Sequence, residues 1–391
     1  MVSASGSRMQ IAIAEQSVFG TAVTANGKFL RFTSESLAPT IETVVSQEVR
    51  ADRQTTDLVQ TGRGAAGSIS TELSYEWVDR KTTTVWSLLE GAMMSADFTA
   101  EVETGPISTT TTLGTTISGT GIGTGMAVGE WVQFGTGFHA TDIGKVARIL
   151  TVSANEIVIE LYTLQNLGPV SMTIASLGYI DNGTTDKYYT IEKDFDDIDE
   201  AEQYDSMAVD TMSIETAANA IITATFGFLG DIVTRATTPS FTAIQAQGTQ
   251  PIMNAISNAT VRIAGTDSTI VQSFTLNTAN NLRTREVIGT LGAQSISAGQ
   301  FNVSGSFQAL FEAADTEYAK LLAQTSSNLV LILLDANNAG YVIDMPEVKY
   351  SGGSLQNPGI NQDVPVALDF SAIRDTTLGY TMRISRTADL A

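Results

Sequence analysis

Residues 62–77 read "GRGAAGSISTELSYEW", and the fold turns on how they are understood. The first six spell G-x-G-x-x-G, a glycine fingerprint that cradles a pyrophosphate when a strand precedes it and a helix opens directly behind it. Here Ile69, Thr71, Leu73, Tyr75 and Trp77 alternate with Ser68, Ser70, Glu72, Ser74 and Glu76. That is the period of a half-buried β-strand, so the dinucleotide reading lacks its βαβ context. The glycines are expected to end a polar loop and feed a strand.

The rest of the chain has the same character. Its 391 residues are rich in Thr, Ser, Val, Ile and Gly, and short alternating runs separated by turn residues make it mainly β. Two helices are expected, over residues 80–94 ("RKTTTVWSLLEGAMM") and 313–324 ("AADTEYAKLLAQ"), each with apolar residues at helical spacing. Both follow a strand that begins at a glycine, and this coincidence exposes an internal repeat. Setting Gly67 against Gly299 places Trp86 on Tyr318 and Leu89 on Leu321 without a gap. The match extends upstream and downstream by pattern more than identity.

Two units are therefore expected, the first discontinuous over residues 1–100 and 178–240, the second over 255–391, with 241–254 as linker. Residues 101–177 have no counterpart in the second copy. They open with an uncharged Thr/Gly tract and return to short strands, which reads as an inserted small β-domain projecting from the outer surface.

Composition excludes several functions. There is no cysteine, hence no disulfide framework or thiol chemistry. The N-terminal residues lack a basic head and apolar run of secretory type, and the longest apolar run, "LVLILL" at 329–334, is too short to span a bilayer, so no membrane association is expected. Forty-two acids against 21 bases give a formal charge of −21, of which 13 acids and three bases lie in residues 178–240. Such a chain does not grip phosphates, and an acidic wall lets a polyanion pass without sticking.

No chemical constellation emerges. His139 stands without cysteine or a second histidine, which disfavours a zinc site or a catalytic triad. The run "DFDDIDEAE" at 194–202 lacks the glycine and ligand spacing of a calcium loop and reads as a solvated turn. No cofactor and no enzymatic activity are expected. The polar stretch 46–67, "SQEVRADRQTTDLVQTGRGAAG", holds Arg50, Arg53, Asp57 and Arg63 and is shortened in the second copy. A long polar loop of mixed charge suits contact with an acidic neighbour.

The string "FLRFTSESLAPTIETVVSQEVRADRQTTDLVQTGRGAAGSISTELSYEWVDRKTTTVWSLLEGAM", preceded by "AEQSVFGTAV" and followed later by "YDSMAVDTMSIETAANAIITATFGFLG", resembles the tail tube proteins of long, flexible-tailed bacteriophages. The resemblance covers most of residues 10–100 and 178–230; the second half fits only as a degenerate repeat. It implies a β-sandwich or barrel with a flanking helix, assembled into rings of roughly six-fold symmetry that stack into a hollow tube in the virion tail. It further implies subunits made in the host cytoplasm, contacts with tape measure and tail terminator or tip proteins, and an acidic lumen through which DNA is ejected without specific binding.

On that footing the arginine-bearing stretch is expected between stacked rings, and Glu72, Asp210 and Glu215 are candidate lumen acids. Two fused units per chain imply homotrimeric rings with pseudo-six-fold symmetry. The competing reading is a cell-surface or S-layer-like β-repeat adhesin whose acid clusters hold calcium; a β-helical depolymerase ranks below it.

Overall fold

The computed structural model describes residues 4–75, 84–160, 164–246, 251–256, 259–312, 316–355 and 359–387. The chain is mainly β, as its alternating patterns require, with two helices among the described residues, α1 (Thr84–Ala92) and α2 (Thr316–Ala323). The starts expected for these helices, like Trp77, lie outside the described residues.

Eight strands form one continuous antiparallel sheet. From edge to edge they are Ser34–Glu35, Leu58–Glu72, Thr223–Gly230, Glu200–Ala217, Val271–Ala279, Asn302–Leu310, Pro365–Ala372 and Gly340–Leu355. The first four lie within residues 34–230 and the last four within residues 271–372, and these define the first and second halves of the fold. The halves meet where Thr211–Ala217 pairs with Ser273–Ala279.

Connectivity repeats across that joint. Tyr188–Phe195 turns into Glu200–Ala217, which pairs with Thr223–Gly230, which pairs with the strand ahead of α1. In the same way Ser327–Leu334 turns into Gly340–Leu355, which pairs with Pro365–Ala372, which pairs with the strand ahead of α2. Each long strand, Glu200–Ala217 and Gly340–Leu355, bends out of the eight-stranded sheet into a second layer. One outer sheet holds Met9–Gln16, Tyr188–Phe195 and Ile232–Ala236; the other holds Thr260–Ile263, Ser327–Leu334 and Arg383–Arg386.

One apolar core runs between the layers and through both halves. It joins Ile69, Trp86, Leu89 and Phe226 to Phe274, Phe307 and Phe370. The Phe274 ring lies 6.3 Å from Phe307 and 5.5 Å from Phe370, so the aromatic stack sits at the joint. Burying side chains of this size is worth about 1.5–3 kcal/mol each, and this holds the two sheets together.

Between α1 and Gly178–Asp181, six strands within Val102–Ser176 close a small barrel with its own core, which includes Val132, Phe134, Ile149 and Ile174.

The polar stretch 46–67 differs from the expected loop. From Leu58 onward it is a 15-residue strand, paired with Ala38–Val45 in an arm that reaches past the sheet; only residues 46–57 form the connection. Antiparallel pairing satisfies backbone groups that a loop would have left to water. "GRGAAG" thus lies inside a strand. Gly67 has φ +147°, and a Cβ there would fall 2.4 Å from the Ser36 carbonyl oxygen, so only glycine lets the chain bend from arm into sheet at this point.

Candidate functional site

Alternation along the eight strands leaves one face packed on the core and the other open. The open face is built of hydroxyls. Following the register across the sheet, one row runs Ser34, Ser70, Thr225, Ser213, Asn277, Ser304, Ser371 and Lys349. The adjacent row runs Glu72, Thr223, Glu215, Thr275, Ser306, Asp369 and Gly352. Neighbouring hydroxyls bond across strands, as Ser70 Oγ to Thr225 Oγ1 at 3.0 Å and Ser36 Oγ to Ser68 Oγ at 3.1 Å. Such a surface is wettable and short of charge. Of these two rows only the second holds carboxylates, Glu72, Glu215 and Asp369.

Of the expected lumen acids, Glu72 and Glu215 lie in that row, two strands apart, with no ion-pair partner among the described residues. Asp210 does different work. Its Oδ1 accepts the Leu282 N–H at 2.8 Å and its carbonyl accepts the Asn280 N–H at 2.8 Å, so it fastens the joint between the halves. Sequence reasoning missed Asp369, although Val366, Leu368 and Phe370 are buried around it and the alternation of "PVALDFSA" places it on the open face.

Neither end of this sheet has a second neighbouring strand among the described residues. At one end Ser34–Glu35 pairs only with Leu58–Glu72; at the other, residues 349–355 pair only with Pro365–Ala372. Exposed edges invite pairing with another chain.

The arm presents the expected cations at different levels. Arg50 and Arg53 lie in the connection at the arm's tip, where Arg50 meets Asp52 at 3.0 Å and Arg53 adopts φ 60°. Asp57 accepts the Leu58 N–H at 2.7 Å and closes that turn. Arg63 is not at the tip; it stands opposite Ile41 in the arm, half-buried, with its Nε 3.1 Å from the position a Cβ on Gly292 would take. The tip also carries exposed apolar residues, among them Val44, Val45, Val49 and Leu58.

The remaining candidates of the sequence lie away from this face. His139 Nδ1 lies 2.8 Å from Thr141 Oγ1 in an exposed turn of the barrel. The acidic run bends tightly between Tyr188–Phe195 and Glu200–Ala217, with Asp196 on Arg8 at 2.7 Å and Asp197 accepting the Ser5 N–H at 2.6 Å. No group of three ligating side chains suited to a metal occurs among the described residues, and no helix there is long and apolar enough to cross a membrane.

A search of curated proteins gives no match. A family model described as phage tail tube protein matches residues 6–372, which takes in both halves, the barrel and both free edges. A match of that extent, on a chain whose largest sheet ends in two open edges, makes the protein a member of the phage tail tube family and a structural subunit of the virion tail that assembles into its tube.

Proposed function

We propose that three copies of this chain close into a ring of pseudo-six-fold symmetry, and that stacked rings enclose a bore through which DNA leaves the virion for the host. The observation that carries this reading is the joint inside the chain. There Glu200–Ala217 of the first half pairs with Val271–Ala279 of the second. Residues 349–355 end the sheet as Glu200–Ala217 ends the first four strands, and Ser34–Glu35 opens it as Val271–Ala279 opens the second four. One free edge therefore suits the other on the next chain, and a head-to-tail contact of this kind closes when the rotation per unit divides the circle.

The units are residues 1–100 with 178–240, and 255–391, joined by 241–254; the barrel at 101–177 sits on the outer wall. The hydroxyl face lines the bore, with Glu72, Glu215 and Asp369 forming one girdle of carboxylates per ring. DNA carrying a charge every ~1.7 Å is repelled by such a girdle and meets, in the two rows described, a single basic side chain, Lys349 at the edge, to displace its counterions. It slides and is not bound. The arm tip with Arg50 and Arg53 reaches the adjoining ring, while Asp57 shapes that tip and Arg63 supports the arm against Gly292. The protein has no catalytic role or cofactor. It is made in the host cytoplasm and meets the tape measure and terminator proteins only during tail assembly.

Native mass measurement of isolated rings tests the proposal. Three chains per ring are expected. Six chains, each supplying one equivalent set of lining strands, would refute it.

A further inference from the structure

The barrel leaves the first half of the chain and lands on the second. It follows α1, and Gly178–Asp181, the strand that leads from it back into the first half, pairs with Arg383–Arg386 in the outer sheet of the second half. One side of the barrel, with Trp131, Val146, Ala175 and Leu177, is buried against Val330, Ile332, Leu334 and Val342 of that same sheet. Trp131 Nε1 donates to the fully buried Asp344 at 3.3 Å, where Tyr380 Oη donates to the same oxygen at 3.1 Å and Arg148 approaches to 3.6 Å. At the rim Gln133 Nε2 donates to the Asn338 carbonyl at 3.1 Å.

The first half covers the matching face of its own outer sheet by other means. Ala12 and Ala14 lie under Phe241, with Val23, Phe29 and Ile244 around them, and the Ser240 N–H is held by Glu192 at 2.6 Å. Each outer sheet thus needs a lid, and only the second takes its lid from the opposite half of the chain. A domain inserted merely for display would be tethered at its root and share little apolar area with a different unit.

We propose that the barrel is an intrachain clamp, which holds the first unit to the second across the outer wall while the strand joint holds them along the inner sheet. Joints within a chain are then fastened twice and joints between chains once, so a ring under stress parts between chains and never between the units of one chain. The proposal rests on reading the two halves as ring neighbours, but its test uses the soluble protein and needs no tube.

A protease site is inserted after Ile256, in an exposed bend beyond the segment that roofs the first unit, so that cleavage separates the first unit and barrel from the second unit. With the barrel intact the two pieces should remain associated on size exclusion under native conditions. Trp131→Ala should weaken that association roughly a hundredfold, since a large buried side chain and its donor are lost. A second variant covers the case in which Trp131→Ala damages the barrel itself. A Cβ on Gly144 would lie 3.1 Å from Asn338 Cβ, and the chain has no native cysteine, so Gly144→Cys with Asn338→Cys brings two thiols within disulfide reach, at the cost of backbone strain because φ is +81° at the first position and 60° at the second. Oxidised, the cleaved pieces should stay joined in denaturant and separate on reduction. Equal association with and without Trp131, or failure of the two cysteines to cross-link in folded protein, would overturn the clamp. Rings of six chains would instead overturn the proposed ring and leave the clamp standing.

Discussion

Asp205 offers the sharpest quantitative test of how this fold carries its acid load. It stands opposite Ile232 in the register of the outer sheet, and its Oδ1 is buried without a partner. Nearby Asp231, itself buried, uses Oδ1 to accept the Ala293 N–H at 2.8 Å. Burial first, and the charge of Asp231 second, push the Asp205 carboxyl from its ordinary 3.8 up to about 6. An acid whose folded-state value is raised stabilises the fold fully below the unfolded value, and that contribution is lost as the pH rises through the folded one. Stability should therefore fall between about pH 4 and 6 from this group and level off above.

A displacement of that size corresponds to about 3 kcal/mol at ~1.36 kcal/mol per decade. Partial exposure lets solvent screen the charge, so about 1–2 kcal/mol should survive. Asp205→Asn removes the charge and keeps the shape. In urea denaturation of soluble subunits at pH 7.5 the variant should be more stable by about 1–2 kcal/mol, and the advantage should vanish near pH 4. Equal stability at pH 7.5, or a gain that persists at pH 4, would refute the reasoning.

Gly67→Ala should cost about 2 kcal/mol or more, because its Cβ meets the Ser36 carbonyl at 2.4 Å and Leu37 Cα at 2.6 Å, whereas Gly64→Ala, with nothing nearer than 3.5 Å, should be close to neutral; urea midpoints for the pair decide it. Arg50→Ala with Arg53→Ala should leave subunit stability within about 0.5 kcal/mol, since both are exposed, yet shorten tubes or make them salt-sensitive under the microscope. Arg63→Ala should instead lower subunit stability, because that side chain packs from the arm onto Gly292, in the connection between Arg283–Glu286 and Ala293–Ser297.

Much of the fold was legible because alternation survives where identity does not. Ile69 and Thr71 alternate with Ser68, Ser70 and Glu72, and Val303 and Phe307 with Ser304 and Ser306, so core and open face separate by parity alone. In the structure the same parity sets Glu72, Glu215 and Asp369 on the open face. It failed at Asp210, which sits where the pairing slips between Val209 and Thr211, and a bulge breaks the count of two. The arm was unreadable for a different reason. Its strands are exposed along both faces outside the sheet, so polar and apolar residues follow no period, and only the partner strand reveals that they pair.

"LVLILL" held a signal that was read only as too short for a membrane. Leu329, Leu331 and Leu333 face the core, while Val330, Ile332 and Leu334 face the barrel. A strand without alternation must be buried on both sides, so this run demands a cover that its own unit does not supply. The first half's outer sheet meets the same demand along Met9–Gln16 with small residues, Ala12 and Ala14, that a single segment around Phe241 can roof. The second carries bulky side chains there and needs a whole domain. In the proposed ring of fused units, covalent fusion is what permits this division. Identical units in a six-chain ring would have to share one solution, whereas two units in one chain can keep the same strand pairings and differ in everything that covers them.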